Sequence, residues 1–135
     1  MNTNDIFNDF VNAINEHDIN RIYSLMDNDH AFFDIWWDRR AIGKDETKNG
    51  WEGYFKMFPD YKIEITDKYF DGNQVSAFGF ISGTFENKKT ETNEFYWKVP
   101  ASWQVGIISG KIKLWQFLAD QNIVFDIIEK YKKLN

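Results

Sequence analysis

The sequence predicts an α+β domain in the order ααβαββββα, with helices covering one face of a curved antiparallel sheet. Three observations carry that expectation. Apolar residues recur at helical spacing near both ends of the chain and once between them, two-residue alternation dominates from Tyr61 to Ala119, and glycine-containing turns separate the alternating runs.

Taken in order, Ile6, Phe7, Phe10, Val11 and Ile14 follow the polar pair Thr3-Asn4, which can cap a first turn, so a helix is expected over 4–16. Asp18 can cap a second, short helix whose apolar face is Ile19, Ile22, Tyr23 and Met26, ended by Asp27-Asn28-Asp29. The run Ala31 to Trp37 is short, aromatic and β-favouring, with Asp34 set among large apolar neighbours. Beyond Gly43, residues Trp51, Tyr54, Phe55 and Phe58 draw one aromatic stripe along a helix that Pro59-Asp60 stops. Tyr61, Ile63 and Ile65 alternate with polar residues up to the Asp71-Gly72-Asn73 turn. In the strand expected over 74–86, Gly79 and Gly83 predict bulges or sharp curvature. A solvated loop over 86–91 leads into a strand that Pro100 should break, because proline lacks the N–H of a central ladder. Ser109-Gly110 forms a tight turn, 111–119 is the last strand, and a final helix from residue 122 places lysines near its C-terminus, where they complement the helix dipole.

With 135 residues the chain fits a single domain spanning 1–135. Its 43% hydrophobic and 27% charged residues are those of ordinary globular protein, whereas the 19% aromatic share is high. Thirteen Phe, six Trp and six Tyr suit a thick core or the wall of an apolar pocket. A net charge of -5, with basic residues clustered only at Arg39-Arg40, Lys88-Lys89 and Lys130 with Lys132-Lys133, argues against a nucleic-acid partner. The absence of Cys excludes disulfides and thiolate chemistry. No basic N-terminal leader and no long apolar run is present, so a cytoplasmic location without a membrane partner is expected.

Several pieces, in order, resemble one family. Asn15-Glu16-His17-Asp18 with the helix after it, Asp29-His30-Ala31-Phe32-Phe33-Asp34, Gly43, Phe58-Pro59-Asp60, Ser82-Gly83-Thr84, Gly110-Lys111-Ile112 and Ala119-Asp120 together resemble the cystatin-like, nuclear transport factor 2-like superfamily, most closely its SnoaL-like polyketide cyclase branch. The resemblance covers nearly the whole chain. It implies a cone-shaped sheet whose helices enclose a pocket, usually apolar, that members use for different chemistry without a cofactor; fold alone does not decide which. It also implies a homodimer through the outer sheet face. The last strand supports that independently, with Ile112, Leu114 and Leu118 on one face and Trp115, Phe117 and Ala119 on the other, so both faces need cover.

Two carboxylates are candidates for catalysis. Asp34 matches the general base of ketosteroid isomerases, and its apolar neighbours would raise its pKa; the alternative is a strand-end carboxylate satisfying local hydrogen bonds. The position of that family's oxyanion tyrosine falls at Phe10, and its second oxyanion acid aligns near Ala101-Ser102, which speaks against ketosteroid isomerisation. Asp120 matches the acid/base aspartate of SnoaL-like cyclases. It shares parity with Leu114, Gln116 and Leu118, and borders a pocket if that face lines the cone; it equally suits a cap for the last helix. Trp36, Trp51, Tyr54, Trp97, Trp103 and Gln116 are candidate pocket lining, with core packing the other role open to the tryptophans. His17 and His30 lie on different elements and lack the further ligands of a metal site, although His30 could stand at a pocket mouth. Arg39-Arg40 reads as a solvated pair. The Asp-Arg-Asp arrangement of epoxide-hydrolase members lacks its central arginine, since none occurs in 74–120. The expectation is a small-molecule pocket protein using acid/base, cyclase- or isomerase-like chemistry on an apolar carbonyl compound, or else a non-catalytic ligand-binding or protein-interaction domain on the same scaffold.

Overall fold

The computed structural model describes residues 2–88 and 90–134; Lys89, part of the expected solvated loop, lies outside the described residues. The elements are α1 (Thr3–Asn15), α2 (Ile19–Leu25), β1 (Met26–Asp34), β2 (Arg39–Ile42), α3 (Lys44–Met57), β3 (Lys62–Asp71), β4 (Gln74–Thr84), a 3-10 turn (Phe85–Asn87), β5 (Tyr96–Ile108), β6 (Lys111–Leu118) and α4 (Asn122–Leu134). The strands form one sheet in the order β2-β1-β6-β5-β4-β3. All neighbours are antiparallel except β1 and β6, which run parallel. The architecture is the expected α+β one, with β2 as an additional strand and one parallel pair in the sheet.

The first two helices begin where short polar side chains take up free N–H groups. Asn2, one residue before the expected pair, accepts from the Asp5 N–H at 2.9 Å, and Asp18 accepts from the Arg21 N–H at 3.1 Å. Helix α2 stops at Leu25, so Met26 and the polar Asp27 to Asp29 belong to β1 instead of the helix and its exit. Inward-facing His30, Phe32 and Asp34 alternate with half-buried Ala31 and Phe33. Trp36 and Trp37 lie in the turn to β2. On α1, Phe7 and Phe10 pack on Trp115 of β6, with ring centroids 6.0 and 5.1 Å apart, and this contact centres the core between helix and sheet.

Bulges bend the sheet. The β3–β4 register shifts between Ile65 and Asp67, opposite Gly79, where a Cβ would stand 1.8 Å from the Glu64 carbonyl oxygen; only glycine permits so close a strand. Gly83 carries no register shift and instead leaves room for Phe58 and Trp97. The break expected at Pro100 does not occur. Strand β5 runs through it because β6 stops at Leu118 opposite Ser102, leaving Pro100 paired only with Phe80 of β4 and in effect at a sheet edge. A further irregularity, with Gly106 opposite Leu114 and Ile107 opposite Ile112, leaves Lys113 as an extra residue. It resets the alternation: Ile112, expected on one face with Leu114 and Leu118, is instead fully buried on the side of Trp115 and Phe117. Helix α4 crosses the end of the sheet where β1 and β6 finish, from Phe125 near Trp37 (6.0 Å) to Tyr131 against Phe85 (4.9 Å).

A buried carboxylate beside an apolar cleft

The last inward residue of β1 is Asp34, and it is wholly shielded from solvent. A carboxylate there is tolerable only with donors around it. Gln121, the residue before α4, donates through Nε2 to both oxygens at 3.0 and 3.2 Å, and the Tyr54 hydroxyl of α3 donates to Oδ2 at 3.0 Å. The Trp37 backbone N–H approaches Oδ1 at 3.4 Å, while its indole Nε1 donates to Gln121 Oε1 at 2.6 Å and so fixes that amide's orientation. Burial raises the pKa of Asp34 above the ordinary carboxylate value; the donors and the nearby Arg39 charge reduce the rise without cancelling it. Tyr54 is pushed well above its usual range, by burial first and then by the Asp34 charge, and Tyr61 is raised by the same two causes in the same order. The assembly is a carboxylate held toward its neutral form, ringed by hydroxyl, side-chain amide and backbone N–H donors.

Tyr54 is also a wall. On its other side a cleft of about 340 Å³ opens between α3 and β2, walled chiefly by Phe32, Ala41, Trp51, Tyr54 and Met57, with Arg39, Arg40 and Glu46 among its polar residues and Gly50 and Gly53 on α3. Asp34 is not among the lining residues. The cross-strand register places Arg39 opposite Asp34 and Ala41 opposite Phe32, so β2, unseen in the sequence, builds the outer side of the cleft.

Of the residues singled out from the sequence, Asp34, Trp51 and Tyr54 come together here. The others do not. Trp36 sits in the β1–β2 turn, edge-on to Trp37 at 4.7 Å. Trp97 is buried under Phe58 and beside Tyr61, and Trp103 packs fully buried near Trp115. Gln116 faces the opposite side of the sheet, where its Nε2 donates to Gln104 Oε1 at 3.1 Å. Asp120 is exposed, and its Oδ1 accepts from the Asn122 N–H at 3.0 Å, the local capping role. The face lining the interior carries Trp115 and Phe117, so the parity that Asp120 shares with Gln116 and Leu118 turns it outward. His30, expected near a pocket mouth, is instead fully buried beside Phe10, its Nδ1 2.8 Å from the Ile112 carbonyl and its Nε2 without a partner among the described residues. Burial lowers its pKa, opposed by the Ile112 hydrogen bond. His17 is half-buried and stacks on Phe55 with centroids 3.9 Å apart. Among the described residues no three His, Cys, Asp or Glu side chains gather as a metal site.

Sequence reasoning missed Gln121, Trp37 and Tyr61. A glutamine directly before an apolar helix, four positions after the buried strand residue Phe117, is a weak signal at best, and only the packing of α4 brings it to Asp34.

Four helices on a curved, unclosed sheet form the α+β fold shared with solved structures described as nuclear transport factor 2-like, and here a buried carboxylate stands at one end with a cleft beside it. Residues 7–115 match the SnoaL-like domain model, and the chain belongs to that family. Solved structures agree on the fold. A protein assigned as a SnoaL-like polyketide cyclase from Shewanella putrefaciens superposes with a TM-score of 0.80 at 17% identity, covering 95% of this chain and 96% of that one. A protein with a ketosteroid isomerase-like fold from Catenulispora acidiphila, solved in complex with trimethylamine, gives 0.73 at 17% identity over 83% and 82%. An epoxide hydrolase from M. tuberculosis gives 0.75 at 14% over 92% and 82%. The comparison with curated proteins found no match. Relatives this distant share the scaffold, which hosts several chemistries. No helix among the described residues is long and apolar enough to cross a membrane.

Proposed function

We propose that this protein, a single domain over 1–135, binds a small apolar carbonyl compound in the α3–β2 cleft and performs cofactor-independent acid/base chemistry on it, with Asp34 as proton acceptor. One observation carries the reading: a fully buried carboxylate of raised pKa is hydrogen-bonded to Tyr54, whose ring walls the cleft. In the reaction Asp34 takes a proton from the carbon next to the carbonyl, the electron pair moves onto the carbonyl oxygen, and the same proton is returned at a second position. Tyr54 must swing aside, or pass its hydrogen bond to the substrate, for Asp34 to reach it.

A second reading is favoured by the same geometry. Both oxygens of Asp34 already accept hydrogen bonds, which suits a rigid, non-catalytic ligand-binding domain. One experiment separates them. Incubating the protein with 2-tetralone in D2O and following the α-protons by NMR should show exchange faster than in buffer, and slowed to the buffer rate by Asp34→Asn. Binding without accelerated exchange selects the non-catalytic reading.

The chain is further proposed to be cytoplasmic and to form a homodimer through the outer sheet face, where Ile35, Phe78 and Leu118 are about half exposed around a groove of about 340 Å³. Light scattering at micromolar concentration should give twice the 16.1 kDa chain mass; a monomer refutes it.

A further inference from the structure

The cleft's chemistry narrows what it accepts. Helix α3 carries two glycines in its interior, Gly50 and Gly53, although glycine is among the least favourable helix residues. Three positions apart, they lie on the same side of the helix, and both line the cleft. Neither is required by packing, because a Cβ built on either meets nothing within 4 Å. Their effect is to bare a strip of helix backbone opposite the apolar side chains of Phe32 and Ala41. Such a slot admits a flat ring and excludes bulkier, non-planar groups.

Charge at the rim is the second observation. Arg39 has no ion pair among the described residues; its guanidinium rests over the Trp37 ring at 5.0 Å, which orients it without neutralising it. Arg40 beside it reaches only Asp38, at 4.0 Å between two exposed side chains. Glu46, the acidic residue of the lining, already accepts from the Ile42 N–H at 3.3 Å. The cleft thus has a cationic rim in a chain whose net charge is -5. Asp34 feels the Arg39 charge but forms no ion pair with it among the described residues, because its oxygens are held by Tyr54 and Gln121, so the guanidinium donors stay open to a ligand.

The geometry points to a planar aromatic carboxylate as the cleft's ligand, its ring over Gly50 and Gly53 and its carboxylate on Arg39. The inference rests on the cleft being a small-molecule site and names the class it selects. A guanidinium matches a carboxylate through two parallel N–H donors, which a neutral ester cannot reproduce.

Calorimetric titration of the full chain with 2-naphthoate and with its methyl ester tests this. The wild type should bind the acid at least about ten-fold more tightly than the ester, as expected for one charge-assisted pair. Arg39→Gln should bring the two affinities together, and Arg39→Lys should restore part of the difference. Gly50→Ala combined with Gly53→Ala should raise the Tm, because alanine favours helix, while weakening the acid about ten-fold by filling the slot. The Tm confirms that this variant is folded. Equal affinity for acid and ester in the wild type, or an unchanged affinity in the glycine variant, overturns the inference while leaving the cleft a small-molecule site. Binding of neither compound overturns both.

Discussion

Asp34 and Asp120 stand at the ends of neighbouring parallel strands, yet one is sealed inside and the other capped in solvent. Asp34 pairs in register with Phe117, an inward residue, and so points with it into the domain. Asp120 lies three residues beyond Phe117, on the outward parity, and takes the Asn122 N–H at the start of α4. The environment of each follows from that. The inner carboxylate loses water and gains Gln121, Tyr54 and Trp37 as donors, and its pKa rises. A carboxylate at a strand end is therefore made chemically distinctive by which face it inherits and by what the next helix lays over it, and its residue type has little part in the matter.

That contrast can be broken by measurement, beginning with the largest effect. Asp34→Asn should cut proton exchange from a bound ketone by about 10²–10⁴-fold, the usual range for losing a general base, whereas Asp120→Asn should leave it within about two-fold. Equal losses in the two variants, read by NMR, would remove the distinction. Next, Gln121→Ala should cost about 1.5–3 kcal/mol in chemical denaturation, because the buried carboxylate loses a donor that contacts both its oxygens. Truncating exposed Asn122 side by side should cost far less.

The pH dependence sharpens the comparison further. Because the folded pKa of Asp34 lies above its unfolded value of 3.8, its contribution to stability is fully present below that value and is lost as pH rises through the folded pKa. Asp34→Asn should accordingly gain stability relative to wild type on going from pH 3 to pH 7. His30, on the same inward face of β1, acts in the opposite sense. Its folded pKa is below the unfolded 6.5, so its contribution holds above 6.5 and is lost as pH falls from there toward the folded pKa. His30→Phe should flatten that acid limb in thermal melts taken between pH 7 and pH 5. The smallest effect belongs to the outer carboxylate: Asp120→Ala should cost only about 1 kcal/mol of stability, the worth of a helix cap.

Much of the fold was legible because local chemistry writes it. Asp18 capping α2, the aromatic stripe from Trp51, the Asp71-Gly72-Asn73 turn and Gly79 at a bulge each depend on residues close in sequence or on backbone sterics. Strand β2 was not visible, since Arg39-Arg40-Ala41-Ile42 lacks alternation and is a strand only because β1 offers it an edge. Pro100 misled for the related reason that the length of β6 decides whether proline meets a ladder. At the site, Asp34 was marked by its apolar neighbours, but its donors come from α3 and from the residue before α4, 20 and 87 positions away.

The sequence by itself determined the α+β class, the capping of α2, the aromatic wealth of the interior and a carboxylate set among apolar residues, because periodicity, caps and turns act over a few residues. Tertiary structure decided which face of β6 lines the interior, which of two aspartates is desolvated and where a cleft remains. Those outcomes turn on one extra residue at Lys113 and on the approach of α3 and α4 to the end of β1, and desolvation is a property of what surrounds a group after every element has packed.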